Sequence, residues 1–528
     1  MLPRWREKFF SGSSPNDRKI SQRRAARGRK DVKKMKKYLA WTLILTLCAL
    51  LTVGTLPALS EERGEKTAEA VSMLEEGFQL WQEEAMKDPE RIEEMIPVKT
   101  VVPSLNMETG ETEDVEMEVY TIRQDGREMR YTVQTIGEPG ENGLYPLYIT
   151  LHGGGGAPEE ENNQQWIAMG NYYSESVESG IYVACRGMED VWNLHFLDES
   201  YAMYDRLIEN MIAMGGADPN RVYLLGFSAG GDGVYAVAPR MADRFAAANM
   251  SSGHPNGVSL KNTSNLPFEI QVGIRDFYSE SALRSVRGAE FEGILNGYES
   301  EYGFGYLHRV LVHVPNGHNF VDYHSGDACV LADPSEFAER AEAENLVQRF
   351  LDLYVENGGP DSVSSMSYAY DEDFNGALLE LVTEELGMEV SIDTDTNAVD
   401  YVSQFSRDYA PSHFVWDLST RASQRKDRAF YWLRAENAQK GLVVAGYDKE
   451  TNTVTIDVQE EPDGELSVLV NPFLMDLDRP LTVVCGDQER TFDIEADADV
   501  VSRSLGETGD PYLAWVYEIS LSELNEDD

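Results

Sequence analysis

Gly226-Phe227-Ser228-Ala229-Gly230 is entered by the apolar run Val222-Tyr223-Leu224-Leu225 and left by Gly231, Asp232 and the helix-compatible Val234-Tyr235-Ala236-Val237. A strand that must become a helix within two residues needs glycine on both sides of the serine, because larger side chains would clash there. Such a turn lifts one serine hydroxyl clear of the backbone, at the positive end of the helix that follows. The segment predicts a strand–turn–helix unit with Ser228 at its corner.

Upstream, Leu147-Tyr148-Ile149-Thr150-Leu151 reads as a buried strand running straight into His152-Gly153-Gly154-Gly155-Gly156. Glycines leave amide hydrogens unhindered, so this loop can aim donors at a developing oxyanion. On its own the run would fit a plain turn after a strand equally well. Paired with a serine corner, it points to acyl chemistry.

A serine nucleophile needs a base, and the base needs an orienting acid. Phe268-Glu269-Ile270-Gln271-Val272-Gly273 alternates like a strand and is followed by Ile274-Arg275-Asp276. Val310-Leu311-Val312-His313-Val314 reads as another strand and ends in Pro315-Asn316-Gly317-His318-Asn319-Phe320. Asp276 and His318 therefore stand at strand exits, in the chain order serine, acid, histidine. His313 lies inside its strand and reads as a packing residue. His152 reads as an organiser of the glycine loop, His195 and His254 as pocket-lining, and His308 and His413 as structural. His324 competes with His318 as base, and Glu280 and Asp322 compete with Asp276, but neither acid stands at a strand exit. The residues select Ser228, Asp276 and His318 as the catalytic group.

The stretch from about Leu147 to Tyr354 resembles the α/β-hydrolase superfamily. Within it the likeness is to bacterial serine esterases related to polyhydroxybutyrate depolymerases and feruloyl esterases, with prolyl-oligopeptidase-type hydrolases further off. The resemblance rests on His152-Gly153-Gly154-Gly155, on Gly226 to Gly230 and on Gly317-His318, and covers about two fifths of the chain. It implies an α/β-hydrolase fold, a mainly parallel sheet flanked by helices. It implies Ser228 as nucleophile, His318 as base and Asp276 as its partner, with an oxyanion hole from the amides of Ala229 and of Gly154 or Gly155. Gly156 extends the glycine run beyond the family pattern and leaves the upstream donor open. The implied activity is hydrolysis of carboxylic esters, small or polysaccharide-linked, through an acyl-enzyme, without metal or organic cofactor. A serine peptidase of the prolyl-oligopeptidase type is the alternative, but only about 85 residues precede the first catalytic strand after the apolar run, too few for a propeller. A non-catalytic surface binding protein on the same scaffold is the third reading.

The chain has 528 residues and a formal net charge of −47. Residues 1–37 carry a net +11, which leaves −58 for the remainder. Such an acidic body repels nucleic acid. After Lys33-Lys34-Met35-Lys36-Lys37, the 21 residues Leu39 to Leu59 hold no charge, long enough to span a hydrocarbon core. Lysines before the run and acid after it orient the head in the cytoplasm and the body on the extracellular face. Ala58-Leu59-Ser60 also fits cleavage of a signal segment, with secretion as the alternative. The four cysteines form no CxxC pair, so neither a disulfide framework nor a zinc site is expected.

The expected organisation is a basic segment (1–37), a transmembrane or signal segment (38–60), an acidic helical segment (61–100), the hydrolase (101–358), a linker with a helical part (359–411) and a β-rich, sandwich-like C-terminal domain (412–528). Val71, Leu74, Phe78 and Trp81 recur at helical spacing and predict a packing face. A hairpin turn at Gln124-Asp125-Gly126-Arg127 predicts an antiparallel edge to the sheet, and Phe337 to Tyr354 reads as one closing helix. The aperiodic Gly187–Phe196 loop follows a strand exit and reads as a substrate wall, with Trp192 as an aromatic platform, or as a solvent shield. Asp393-Thr394-Asp395-Thr396-Asn397 lacks the glycine and closing glutamate of a calcium loop and reads as a solvated turn.

Overall fold

Among the described residues, eleven strands join in one mixed sheet: β1 (Val98–Leu105), β2 (Thr112–Gln124), β3 (Arg127–Ile136), β4 (Tyr145–Leu151), β5 (Gly180–Cys185), β6 (Ala217–Phe227), β7 (Ala247–Ser251), β8 (Phe268–Gly273), β9 (His308–His313), β10 (Ala328–Leu331) and β11 (Val390–Asp393). Their order is β1-β2-β3-β5-β4-β6-β7-β8-β9-β10-β11. A computed structural model describes residues 64–525 apart from 125, 280–281, 321–325, 421, 423–424 and 426–427. The basic head, the apolar run, Glu280, Asp322 and His324 lie outside the described residues. No helix among the described residues is long and apolar enough to cross a membrane.

The six central strands, β5 to β9 with β4 set between β5 and β6, run parallel, and antiparallel strands finish both edges. Strands buried on both faces read as continuous apolar runs, which is why β4 and β6 are legible without alternation. In β6, Val222 and Leu224 enter one core, while Tyr223, Leu225 and Phe227 enter the core on the opposite face. The hairpin of β2 and β3 pairs Gln124 with Arg127, and β1 adds a further strand outside it. Cys185 ends β5 fully buried, where burial pushes its thiol far up.

The expected single closing helix needs correction, and the acidic helical segment carries a break as well. The acidic segment is two helices, Glu65–Ala85 and Pro89–Glu94, because Asp88 caps the second through the amides of Glu90 and Arg91 and Pro89 opens it. Val71, Leu74 and Phe78 of the first helix are buried. The closing helix is likewise two, Pro334–Ala343 and Leu346–Glu356, parted at Asn345 with φ 51° and ψ 48°. Asparagine tolerates that left-handed conformation, and a helix cannot continue through it.

The stretch read as a linker with a helical part, 359–411, carries elements packed against the main sheet. Helix Val363–Tyr368 packs at the exits of β8 and β9, β11 pairs antiparallel with β10, and helix Ala398–Ser403 covers the core face that holds Tyr223 and Phe227. Its polar sequence disguised these roles because β11 is an edge strand with Ile392 exposed and only its pairing ordered.

Beyond Ser412 lie β12 (His413–Asp417), β13 (Ala429–Phe430), β14 (Leu433–Glu436), β15 (Leu442–Asp448), β16 (Thr453–Glu460), β17 (Glu465–Val470), β18 (Leu481–Cys485), β19 (Gln488–Phe492) and β20 (Tyr517–Ser520). They make a five-stranded sheet, β12-β15-β16-β18-β19, and a four-stranded sheet, β13-β14-β17-β20. Phe414 and Trp416 of the first sheet meet Phe430 of the second with ring centroids 5.9 and 5.6 Å apart. The described residues all fall within one compact unit, and a single hydrophobic cluster runs from the main sheet into these two.

Candidate active site

Ser228 sits between β6 and helix Ala229–Val237 at φ 58° and ψ −120°. The flanking glycines are forced by contact: a Cβ on Gly226 would come 2.2 Å from Gly230 O, and one on Gly230 would come 2.0 Å from Leu151 O. The Ser228 amide donates to Ser251 O at 2.9 Å, which ties the corner to the end of β7. The hydroxyl is left at the start of the helix, half-buried, where the helix dipole favours negative charge.

The other two sequence-selected residues converge on it. Ser228 Oγ lies 2.9 Å from His318 Nε2, and His318 Nδ1 lies 2.8 Å from Asp276 Oδ2. A carboxylate can only accept, so the imidazole proton belongs on Nδ1 and Nε2 is free to accept from the serine. Asp276 is fully buried and His318 nearly so. Burial by itself would raise the Asp276 carboxyl, but His318, Arg284 and Ser367 outweigh it and hold the group below the usual carboxylate range. Arg284 Nη1 lies 3.3 Å from Asp276 Oδ1, and Ser367 Oγ donates to the same oxygen at 3.2 Å. His318 is fixed further by its amide on Ser367 O and by Ser252 Oγ on its carbonyl. The Phe227 ring packs 5.3 Å and the Tyr368 ring 5.0 Å from the imidazole.

The glycine loop passes beside the serine. A Cβ on Gly153 would lie 3.3 Å from Ser228 Cβ. Gly154 and Gly155 have φ of 104° and 111°, a region open to glycine and strained for other residues. The Gly155 amide is committed: it donates to Asn162 Oδ1 at 2.9 Å. Gly155 is thereby corrected as an oxyanion donor, because an N–H already bound inside the protein has nothing to offer a ligand. The amides of Gly154 and Ala229 have no hydrogen-bond partner among the described residues.

Asn162 went unnoticed in the sequence. It is fully buried on helix Glu159–Tyr172, and its Nδ2 donates to Gly155 O, Ala157 O and Asp190 Oδ1. One side chain thus closes the glycine loop in both directions. An asparagine seven residues past the last curved glycine is the only trace of this in the chain. Ser367 and Arg284 were also missed, since neither occupies a strand exit.

Trp192 is 57% exposed, and its ring rests edge-on against Phe196 at 5.3 Å. Its backbone runs along the glycine loop, with Cα 3.7 Å from where a Cβ on Gly155 would be. His254 is half-buried on the loop after β7; its amide donates to Asp232 Oδ1 at 2.7 Å, and its Nδ1 accepts from the Asn256 amide. His195 is not in the mouth of the site: it lies buried beneath the glycine loop, Nε2 2.8 Å from His152 O, with the two imidazoles edge to face. His313 is buried in β9 and pairs with Gln271 at 2.8 Å. No cluster of His, Cys, Asp and Glu among the described residues is arranged to hold a metal ion.

No family model and no curated protein matches the chain. Similar solved structures include a thermostable esterase (17% identity, TM-score 0.28), which aligns over 40% of this chain and 61% of its own. A poly(3-hydroxybutyrate) depolymerase from Bordetella parapertussis aligns over 43% of this chain and 87% of its own at 17% identity and TM-score 0.30. A ferulic acid esterase aligns over 38% and 90% at 17% identity and TM-score 0.26. The chain thus spans 61% of the length of the thermostable esterase it matches.

Proposed function

We propose that this chain is a serine hydrolase that cleaves carboxylic esters through an acyl-enzyme on Ser228. The observation that carries the reading is the unbroken relay from Ser228 Oγ through His318 to a buried, ionised Asp276, at 2.9 and 2.8 Å. His318 Nε2 takes the serine proton as Oγ attacks the ester carbonyl, and Asp276 stabilises the imidazolium that results. The amides of Ala229 and Gly154 receive the carbonyl oxygen as it becomes an oxyanion; loss of one such donor typically costs about 3 kcal/mol of barrier. His318 then returns its proton to the leaving alcohol, and water enters by the same route in reverse to free the acid.

Trp192, whose backbone runs beside Gly155, and His254, whose amide is bound to Asp232 of the nucleophile helix, serve in this reading as substrate-binding residues. Acyl or phenolic groups carried on carbohydrate are the substrate class that the sequence resemblance implies, and an exposed indole suits a flat or ring-shaped ligand. The cationic head and apolar run orient the enzyme with its hydrolase outside the cytoplasm.

The test is labelling of the full-length chain with a fluorophosphonate probe, together with turnover of p-nitrophenyl esters and aminoacyl amides. Labelling and ester cleavage are expected, both lost in Ser228→Ala by a factor on the order of 10⁶ in turnover. Ester cleavage that survives Ser228→Ala ends the proposal. Amide cleavage without ester preference replaces it with the peptidase reading.

A further inference from the structure

Asp276 gives one carboxylate oxygen to His318, and the other faces a cation. Arg284 Nη1 lies 3.3 Å from Oδ1, and the guanidinium is only 14% exposed, with its plane 5.2 Å over the Tyr278 ring. Resting on the hydrolase reading above, we propose that Arg284 is a positioning residue that acts through Asp276 and sets the acid limit of catalysis.

The placement of Arg284 runs against local preference. It is the first residue of helix Arg284–Tyr302, where the helix dipole disfavours a cation, and the preceding Leu283 supplies no cap. A sequence that breaks a local rule beside a reacting centre has usually been shaped by something other than helix stability. What the position offers is a bridge. The cation pairs with the triad acid, which leaves β8, and its charge is also felt by Asp232 on the helix of the nucleophile. Asp232 is itself bound to the His254 amide and to Asn256 Nδ2, so the field of Arg284 falls on the segments that bear nucleophile, acid and His254.

The charges around the pair are few. Asp276 and Tyr278 come from the turn after β8, Asp232 from the nucleophile helix, His254 from the loop after β7, and Tyr368 and Ser367 from helix Val363–Tyr368. Arg275, next in sequence to Asp276, turns its guanidinium to Pro315 O, Met366 O and Ala369 O instead. Arg284 is therefore the cation that meets the carboxylate directly. By pulling on Oδ1 it weakens the field that Asp276 exerts on the imidazole. Without the guanidinium the whole field of the carboxylate would fall on the imidazole and favour its cation.

The experiment is the pH profile of kcat/KM for p-nitrophenyl acetate, measured on the full-length chain and on Arg284→Met and Arg284→Lys. Arg284→Met is expected to move the acid limb upward by about one pH unit. Its plateau is expected to fall by up to about 10²-fold as Asp276 loses its fixed orientation. Arg284→Lys restores the limb, because the charge returns, but not the full plateau, because a point charge does not replace the planar fork. A limb that stays in place in Arg284→Met while the plateau falls reduces Arg284 to a packing role and overturns the proposal; so does a limb that shifts in Arg284→Lys as far as in Arg284→Met. Arg284→Gln carries the same comparison where Arg284→Met gives no cooperative melt. Ser228→Ala run alongside separates the two claims: a fully active Ser228→Ala sinks the hydrolase reading itself, whereas an inactive one with unmoved Arg284 limbs sinks only this inference.

Discussion

Ser228 occupies a positive-φ conformation that costs a residue with a side chain about 1–3 kcal/mol, and it persists because its surroundings over-determine it. The Leu151 carbonyl, the end of β7 and Gly230 all press on the corner at distances that admit only hydrogen at the neighbouring positions. Beneath the glycine loop, His152 and His195 are buried without a carboxylate partner. Burial lowers both, with His195 brought down to about 4 and His152 well below its ordinary value. The native pair is neutral, whereas the unfolded chain takes up a proton on each below about pH 6.5. Their contribution to stability is therefore complete above that pH and is lost as pH falls toward 4, about 3 kcal/mol for His195 alone. The melting temperature should fall across that interval, and His195→Gln should flatten the fall; an unchanged slope by calorimetry refutes the assignment. Ser228, Asp276 and His318 were legible in the chain because each stands where an apolar run stops, and strand exits are where a parallel sheet presents side chains to one rim. Asn162, Ser367 and Arg284 were not, because their work depends on who lies opposite them, and spacing along the chain carries no record of that.

Strands β4, β6 and β9 were readable as elements because burial on both faces writes an apolar run, and β8 because Phe268, Ile270 and Val272 alternate with Glu269 and Gln271. Helix Val363–Tyr368 was not, being six residues, one valine, three serines, a methionine and a tyrosine, capped by Ser362 on the Ser365 amide. Yet this short helix delivers Ser367 to Asp276 and its carbonyl to the His318 amide. Arg275 staples it to the sheet, reaching Pro315 O, Met366 O and Ala369 O, and Asn375 Oδ1 at 3.2 Å, while its plane covers the Phe374 ring. Arg275→Ala takes the guanidinium from Pro315 O and Ala369 O and leaves Met366 O only the Ala369 amide, and a buried acceptor left unpaired costs about 1–3 kcal/mol. The variant should melt several degrees lower and label more slowly with fluorophosphonate, because the support of Asp276 is loosened. A lower melting temperature with unaltered labelling would show that the helix steadies the fold but not the acid. Arg275→Lys should recover little, since one ammonium cannot span three carbonyls.

At the scale of the whole molecule, the main sheet and the two C-terminal sheets are sewn together by charge as well as by apolar packing. Asp205, Asp243 and Arg244 from the part that carries the main sheet interlock with Arg407, Arg425 and Asp510 from beyond it. Arg407 meets Asp510 at 2.8 Å and Arg425 meets Asp205 at 2.8 Å, all nearly or fully buried. Helix Glu65–Ala85 spans the same two parts, with Asp478 accepting from the Lys66 and Thr67 amides and Gln82 donating to Ala213 O. Removing one member of a buried charge group leaves its partners uncompensated, at about 3–5 kcal/mol. Asp510→Ala should therefore lower the unfolding midpoint in urea for the whole unit as one transition. Two separate transitions would mean that the β-rich part folds independently. The sequence by itself determined the order of strands and turns around Ser228, the three residues of the relay and the acidic character of the body, because hydrophobic period, glycine placement and charge are local properties of a chain. Only the tertiary structure decided that Gly155 is already bound, that a polar stretch completes the sheet, that Arg284 faces Asp276 and that the C-terminal sheets share the core of the main sheet. Each of those depends on contacts between residues tens to hundreds of positions apart, and such contacts exist only once the chain has closed on itself.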